Sequence, residues 1–515
     1  MAQSALEQLR QSLGDAAVIT DLAEREFYSQ DVYNQGSTCL GVIRPESIDA
    51  LKSALRIAHL AGLSVVARGG GLSYTDAYLP TREDSLVVDT SRLDRIVEIN
   101  EQDRYVVVEC GCTWAKLHEA LRERGLRTPY FGPLSGLRAT VGGALSQGSI
   151  FLGSARYGSV GDALLGLEVL RADGEALRTG AWGAAGTAPF FRYFGPDLSG
   201  LFVGDAGALG VKVRASLRLL PMHPHADYLS VESADFEQLA SLMSDWTRAG
   251  LASECFAFDP MLARKRMQRQ SLMADVKSLG QVIKAQGMLE GLKVVAAGRS
   301  FLDVERWSAH ISVEADSAAE LKARMEHARK LIGTRGKEVE NTIPKVLRSM
   351  PFTPPNNMLG PRGERWVPVH GILPHTQAAT AWRAVEEVFA RHKAAMGAEG
   401  VEVGYLMTTI AQQGFLLEPV FYWPDAQMPY HQRMVEADYL ARVQNFPARP
   451  SAKALVDQLK REVADCLRAV GATHFQIGKF YTWREGRDPA ALALFDAIKQ
   501  SVDPHGRLNP GALQR

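Results

Sequence analysis

One short run near the C-terminus, HFQIGKFYTWREG, holds four side chains able to move a proton or hold an anion: His474, Lys479, Tyr481 and Arg484. Side chains alternate faces along a strand. If this run is extended, His474 shares a face with Gln476, Gly478, Phe480 and Thr482, while Lys479 and Tyr481 take the other. His474 and Lys479 are then expected to face different pockets. A second run, GFLLEPVFYWPD, offers Glu418, Tyr422 and Trp423. Its aromatics could wall a flat ring or an aryl substrate, and Tyr422 could polarise an alcohol or phenol oxygen. Arg365, Lys479 and Arg484 are the cations suited to a carboxylate. His370 and His375 in HGILPH, and His223 and His225 in HPH, have ligand chemistry, but isolated pairs on strands and turns usually serve structure, so no metal is assigned. Cys110 and Cys112 are spaced too tightly for the usual CxxC chemistry and read as small residues at a strand end.

Glycines cluster in three places: Arg68-Gly69-Gly70-Gly71-Leu72-Ser73-Tyr74, then YFGPLSGLRATVGGALSQGS from Tyr130 to Ser149, then FVGDAGALGVKV from Phe202 to Val213. Consecutive backbone N–H groups in such turns form concave nests for anions, most often phosphate. Ser73, Ser146 and Ser149 could add hydroxyl donors, and Arg68 or Arg156 a charge. Three nests suit a long ligand such as a dinucleotide. Two common nucleotide motifs are excluded. GGGLSY lacks the G-x-G-x-x-G spacing and leads into a turn and another strand rather than a helix. No G-x-x-x-x-G-K-[ST] run occurs.

The elements that must position these residues change character near residue 220. Before it, helix, strand, turn and several short strands alternate: ESIDALKSALRIAHLAG and TWAKLHEALRERGL carry helical spacing, LSVVARGGG is a buried strand entering the glycine turn, and SLVVDTSRLDRIVEINEQDRYVVVECGCTW alternates as strands do. After it, DFEQLASLMSDWTRAG, SAAELKARMEHARKLIG, TQAATAWRAVEEVFARHKAAMG and SAKALVDQLKREVADCLRAVG are amphipathic helices. Strand-like runs such as WVPVHGIL lie between them. This predicts an α+β chain whose second part is an antiparallel sheet backed by helices.

With 515 residues the chain is expected to hold at least two domains. Lys+Arg and Asp+Glu are both 58, a balance that argues against a nucleic-acid-binding protein. The N-terminal residues show no basic stretch followed by an apolar one, and no apolar run reaches the length of a membrane span. Five scattered cysteines suit a reducing compartment. A cytoplasmic enzyme is expected, with a homodimer as the base-rate assembly.

Four runs in this order, ARGGGLSYTDA, GLRATVGGALSQGSIFLGSARYGSVGDALLGLEVLRADGE, FVGDAGALGV and the closing VDPHGRLNPG, resemble the FAD-binding domain of the vanillyl-alcohol oxidase/p-cresol methylhydroxylase (PCMH-type) flavoproteins. RWVPVHGILPHTQAATAWRAVEEVF and GFLLEPVFYWPD are similar to that family's cap. The resemblance implies a PCMH-type FAD-binding domain over residues 1–220, a cap (substrate) domain over 221–490, and a C-terminal segment, 491–515, returning to the FAD domain. It implies that Arg68, Gly69, Gly70, Gly71, Ser73 and Tyr74 grip the FAD pyrophosphate. Thr140, Gly142, Gly143, Gly148 and Ser149 would lie along the phosphates and flavin, followed by Arg156, Tyr157 and Gly158, with Asn509 returning to the flavin, which lies against the cap in the family. Three departures matter. Asp205 and Ala208 stand where the family often has an acidic residue before GTLG. Leu72 and Ser73 stand where many relatives attach FAD through a histidine, so FAD is expected to be non-covalent, with Tyr405, Tyr422, His431, His474 and Tyr481 as the remaining positions for a link. His474 precedes Phe-Gln where hydroxy-acid-oxidising relatives carry a Glu-His-Gly stretch with metal-associated histidines.

A flavin accepts hydride, so the protein must hold a substrate C–H, take a hydroxyl proton and stabilise developing charge. Tyr422, His474, Lys479, Tyr481 and Arg484 are the candidates. The expected activity is FAD-dependent oxidation of a small alcohol or 2-hydroxy acid at its CH–OH carbon. Oxidation or hydroxylation of a para-substituted phenol is the alternative, and a non-catalytic flavin-binding protein the third reading. The electron acceptor, oxygen or a redox carrier, is not written in the sequence.

Overall fold

The computed structural model describes residues 2–269 and 305–515. By contact the chain forms two compact units. The first comprises Met1–Ser149, Val160–Pro221 and Phe475–Arg515; the second comprises Ile150–Ser159 and Met222–His474. The sequence placed a continuous second domain over 221–490, whereas contacts put 475–490 with the first unit and 150–159 with the second. The causes are local. Gln476 donates its backbone N–H to Gln147, and Lys479 donates to Thr75, both in the first unit. Ser154 accepts from Ala411, and the Phe151 ring lies 6.2 Å from Phe256, in the second.

The first unit holds two principal sheets. In one, Gly41–Ile43, Ser85–Asp89 and Ser64–Arg68 run parallel, with Val18–Ile19 antiparallel at the edge. Nearly all of Ser85–Asp89 and Ser64–Arg68 is buried, so SLVVD and SVVAR read as continuous apolar runs rather than alternating ones. The expected helix forms over Ile48–Leu60, its first turn capped by the Ser47 hydroxyl accepting from Ala50. Its Leu51, Ala54 and Leu55 pack with Leu86 and Val88 of the sheet. The other sheet is antiparallel, in the order Ile96–Asn100, Tyr105–Glu109, Val211–Arg218, Leu164–Leu170, Ala176–Arg178. The stretch that alternates as one strand series in sequence is therefore split. Ser85–Asp89 joins the parallel sheet, and the following two strands join the antiparallel one.

The second unit is built on one antiparallel sheet: Lys337–Val339, His225–Ser233, Trp307–Ala315, Glu254–Phe258, Glu402–Ile410, Gly414–Trp423 and Arg365–Pro368, with Gly371–Pro374 also pairing with Gly414–Trp423. Helices Phe236–Arg248, Ala318–Ile332 and Ala378–Glu399 pack against it, and Pro450–Ala469 packs on Ala378–Glu399. This is the helix-backed antiparallel sheet expected. The run WVPVHGIL is not one strand: it breaks at Val369 and His370, and both halves pair with the same neighbour.

Candidate cofactor and active site

Strand Ser64–Arg68 delivers Gly69–Gly71 to one end of the parallel sheet, and all three glycine clusters meet there within the first unit. A Cβ on Gly69 would collide with the Thr140 hydroxyl, and one on Gly70 with the Arg138 carbonyl. Gly71 has φ +72°, and a side chain there would strike the Arg68 guanidinium. The first glycine run is thus bare because the second runs directly over it. The second joins the third through backbone bonds from Gly204 to Leu145 and from Ala206 to Ser146. Asn509, itself at φ +41°, closes the triangle: its amide donates to Ala77 at 2.7 Å and to Ala206 at 2.5 Å.

The short helix Val141–Gln147 is capped by Thr140, whose hydroxyl accepts from Gly143, and is ended by left-handed Gly148. Gly142 is required by packing, since its Cβ would meet Cys110. Burial pushes the Cys110 and Cys112 thiols up to about 12, which keeps both protonated and inert, in keeping with their reading as structural residues. Asp205, the departure in the third cluster, pairs with buried Lys212 at 2.5 Å and accepts from the backbone of Gly207 and Leu209. It shapes this loop from within. Gly204 and Gly207 have φ +73° and +75° and face open space.

These surroundings fit an elongated polar cofactor. Buried Asn509 Oδ1 and Gln147 Oε1, and Arg68 Nε and Nη2, have no protein hydrogen-bond partner, as groups reserved for a ligand would. Arg68 is the exception in kind. Its guanidinium sits 4.8, 4.6 and 5.3 Å from the ring centres of Phe27, Tyr28 and Tyr78, so it braces the loop from beneath. The Ser149 hydroxyl accepts from Tyr130 at 2.8 Å. Ser73 contacts the Thr75 hydroxyl, and Tyr74 follows it on the same loop. Arg156, Tyr157 and Gly158 fall in the second unit, where Tyr157 contacts His223 and the Arg156 guanidinium lies over the Tyr157 ring.

The candidate catalytic residues do not form one cluster. The HFQIGKFYTWREG run is irregular rather than a strand, turning at Gln476 (φ +51°) and at Gly478 (φ +57°), where a side chain would meet Thr75. Two-face alternation does not apply to it. Lys479 and Tyr481 belong to the first unit. The Lys479 ammonium is buried against the Leu79 carbonyl, and Asp31 and Asp76 lie near enough to act on its charge. Burial brings Lys479 down to about 7, with those carboxylates opposing the shift. Burial, and then the Asp76 charge, raises Asp31 to about 7. Arg484 forms a bidentate pair with Asp496 on helix Pro489–Val502, at 2.9 and 2.6 Å, so its charge is already matched.

In the second unit, Tyr422 is core. It packs with Phe256, Phe258 and Val420, and Lys265, held by Glu364 and Glu402, lies 5.0 Å from its ring centre. Arg365 stacks on Trp423 and donates to the Ala426 carbonyl. His474 is set apart: its Nδ1 lies 2.7 Å from the His370 carbonyl, which can only accept, so Nδ1 carries the proton. Burial lowers His474, leaving the imidazole neutral with its lone pair on Nε2. Fully buried His370, beside it, is lowered well below the usual histidine range by burial and then by His474. Asp31, Asp76 and Lys265 carry no local sequence signal, because their significance depends on residues far away in the chain. Among the described residues, no group of three or more His, Cys, Asp or Glu side chains could hold a metal ion. No helix among them is long and apolar enough to cross a membrane.

Residues 39–180 match the FAD binding domain family. The chain is 31% identical over 240 residues to the glycolate oxidase subunit GlcD of Bacillus subtilis, covering 46% of this chain and about half, 49%, of that relative. It is 22% identical over 527 residues to D-2-hydroxyglutarate dehydrogenase of Xanthomonas citri pv. viticola, covering 100% of this chain and 97% of that protein. Its fold is similar to that of p-cresol methylhydroxylase with substrate bound, with a TM-score of 0.72 and 15% identity over 99% of this chain and 96% of that one. The 39–180 stretch therefore lies within a PCMH-type FAD-binding domain, as its motifs implied, and FAD is the cofactor that the converging glycine runs fit.

Proposed function

We propose that this chain is an FAD-dependent oxidoreductase that oxidises a small 2-hydroxy acid at its CH–OH carbon. The observation that carries this reading is the alignment along the whole chain with D-2-hydroxyglutarate dehydrogenase, joined to an FAD-binding fold. FAD, when bound, supplies the two-electron acceptor for the substrate's hydride. The chain's own residues supply the rest. Asn509, Gln147 and the glycine runs hold the cofactor, with Arg68 bracing the first loop. His474, neutral at Nε2 and fixed in that tautomer by the His370 carbonyl, takes the hydroxyl proton as the C–H bond breaks. Loss of one hydride and one proton turns the CH–OH carbon into a ketone, so the product is a 2-oxo acid.

The test is anaerobic mixing of the FAD-saturated protein with D- and L-lactate, glycolate and D-2-hydroxyglutarate, set against 4-hydroxybenzyl alcohol. Bleaching of the flavin by at least one hydroxy acid, with the phenol inert, is the expected result. Bleaching by the phenol alone would overturn the substrate class, and no bleaching by any of them would overturn the reading. His474→Gln is expected to slow bleaching about 10²–10⁴-fold while leaving bound flavin unchanged, as removal of a general base does.

A further inference from the structure

The loop Pro189–Leu198 of the first unit, PFFRYFGPDL, exposes five large apolar side chains: Phe190 (54%), Phe191 (48%), Tyr193 (61%), Phe194 (68%) and Leu198 (49%). Scattered apolar residues on a surface need no explanation, but five within one loop do. Nor is the loop loose. Ser216 donates to the Pro189 carbonyl at 2.6 Å, and Ala181 to that of Phe191 at 2.8 Å. Arg192 reaches the Gly161 carbonyl, and Asp197 accepts from Gly200 at 3.0 Å. The backbone is tied down on its inner side while the aromatics are held outward. A surface organised in advance loses little freedom on association, and aromatic residues dominate binding hot spots.

Charge identifies the occupant. Between Gly180 and Leu198 the only ionisable charges are Arg192 and Asp197, which pair with each other at 2.8 Å. The patch therefore offers no net charge to a charged carrier protein and no spare cation to an anionic bilayer. Its own copy is complementary: two neutral aromatic patches can face one another across a twofold axis without repulsion. The exposed half of five such side chains is on the order of 500 Å² per copy, close to what the apolar centre of a modest dimer interface needs.

We propose that Pro189–Leu198 is the centre of a twofold interface with a second copy of this chain. The test is sedimentation velocity and light scattering on the full-length, FAD-saturated protein over a concentration series, for wild type, Phe194→Glu, Phe194→Lys and Phe191→Glu. The expected result is a wild-type dimer and a roughly thirtyfold or larger weakening in every variant, as for loss of a hot spot. The flavin spectrum and thermal melting of the exposed-site variants should stay unchanged. Equal effects from Glu and Lys would show that apolar contact, not charge, holds the pair. A wild-type monomer, or a dimer indifferent to all three changes, would overturn the proposal. So would a monomer that sediments with phosphatidylcholine vesicles and loses this in Phe194→Glu, which would assign the patch to a lipid surface.

Discussion

Gly70 and Gly207 lie in two of the glycine runs yet are glycine for different reasons. Gly70 has no room for a Cβ because the Arg138 carbonyl occupies the space; Gly207 has room but sits at φ +75°. Gly70→Ala must displace backbone, at about 1–3 kcal/mol of overpacking, and separates the first two glycine runs. It should be purified with little visible flavin absorbance. Gly207→Ala bears only the left-handed strain, about 1–2 kcal/mol, and should retain flavin with a lowered melting temperature. Lys479 makes a second residue-scale prediction. Its folded value of about 7 lies below the usual 10.5, so between those values the unfolded chain binds the extra proton and stability rises with pH. A series of melting curves should show wild type gaining on Lys479→Met from about pH 7 to 10 and no such gain below pH 6. A constant difference would mean that the amine is solvated.

Elements explain how the third loop is held without the acidic side chain's charge being offered outward. Strand Val211–Arg218 carries Lys212 back beneath the turn, and Asp205 both pairs with it and accepts backbone N–H groups from Gly207 and Leu209. Both side chains are almost wholly buried. Lys212→Met strands the carboxylate and should cost about 3–5 kcal/mol, whereas Asp205→Asn with Lys212→Met should recover much of it. Chemical denaturation of the single and double variants measures this, and equal losses in both would show the pair to be dispensable. The break at Val369–His370 is another element-scale device. It leaves the His370 carbonyl available to His474, which a continuous strand would have used in its ladder.

At the scale of the whole molecule, the question is whether either unit anchors FAD covalently. Tyr405 donates to Glu386, Tyr422 and Tyr481 are buried, and His431 Nδ1 receives the Met428 N–H. Each is engaged in the packing of its own unit, and Leu72 and Ser73 offer no attachment in the first glycine loop. Acid precipitation should therefore release all of the flavin into the supernatant, and yellow colour in the pellet would show a covalent link. The chain reaches its first unit in three separate pieces, so the C-terminal residues are part of the cofactor domain although they follow the second unit in sequence.

The sequence by itself determined the cofactor domain. Glycine runs record close approach and left-handed backbone wherever they occur, so ARGGGLSYTDA, ATVGGALSQG and GDAGALG were legible without coordinates. Helix periods and caps such as Ser47 and Thr113 were legible for the same reason: they depend on neighbours within a turn. What only the tertiary structure decided was which distant groups meet. Three conclusions were of this kind: that Gly69 and Gly70 are bare for the second loop, that Lys479 lies by Asp31 and Asp76 rather than with His474, and that Arg484 is matched by Asp496. A carboxylate or ammonium carries the same letter whether solvated, paired or poised. Its role is set by burial and by partners scores or hundreds of residues away, and one chain's local pattern holds no record of either.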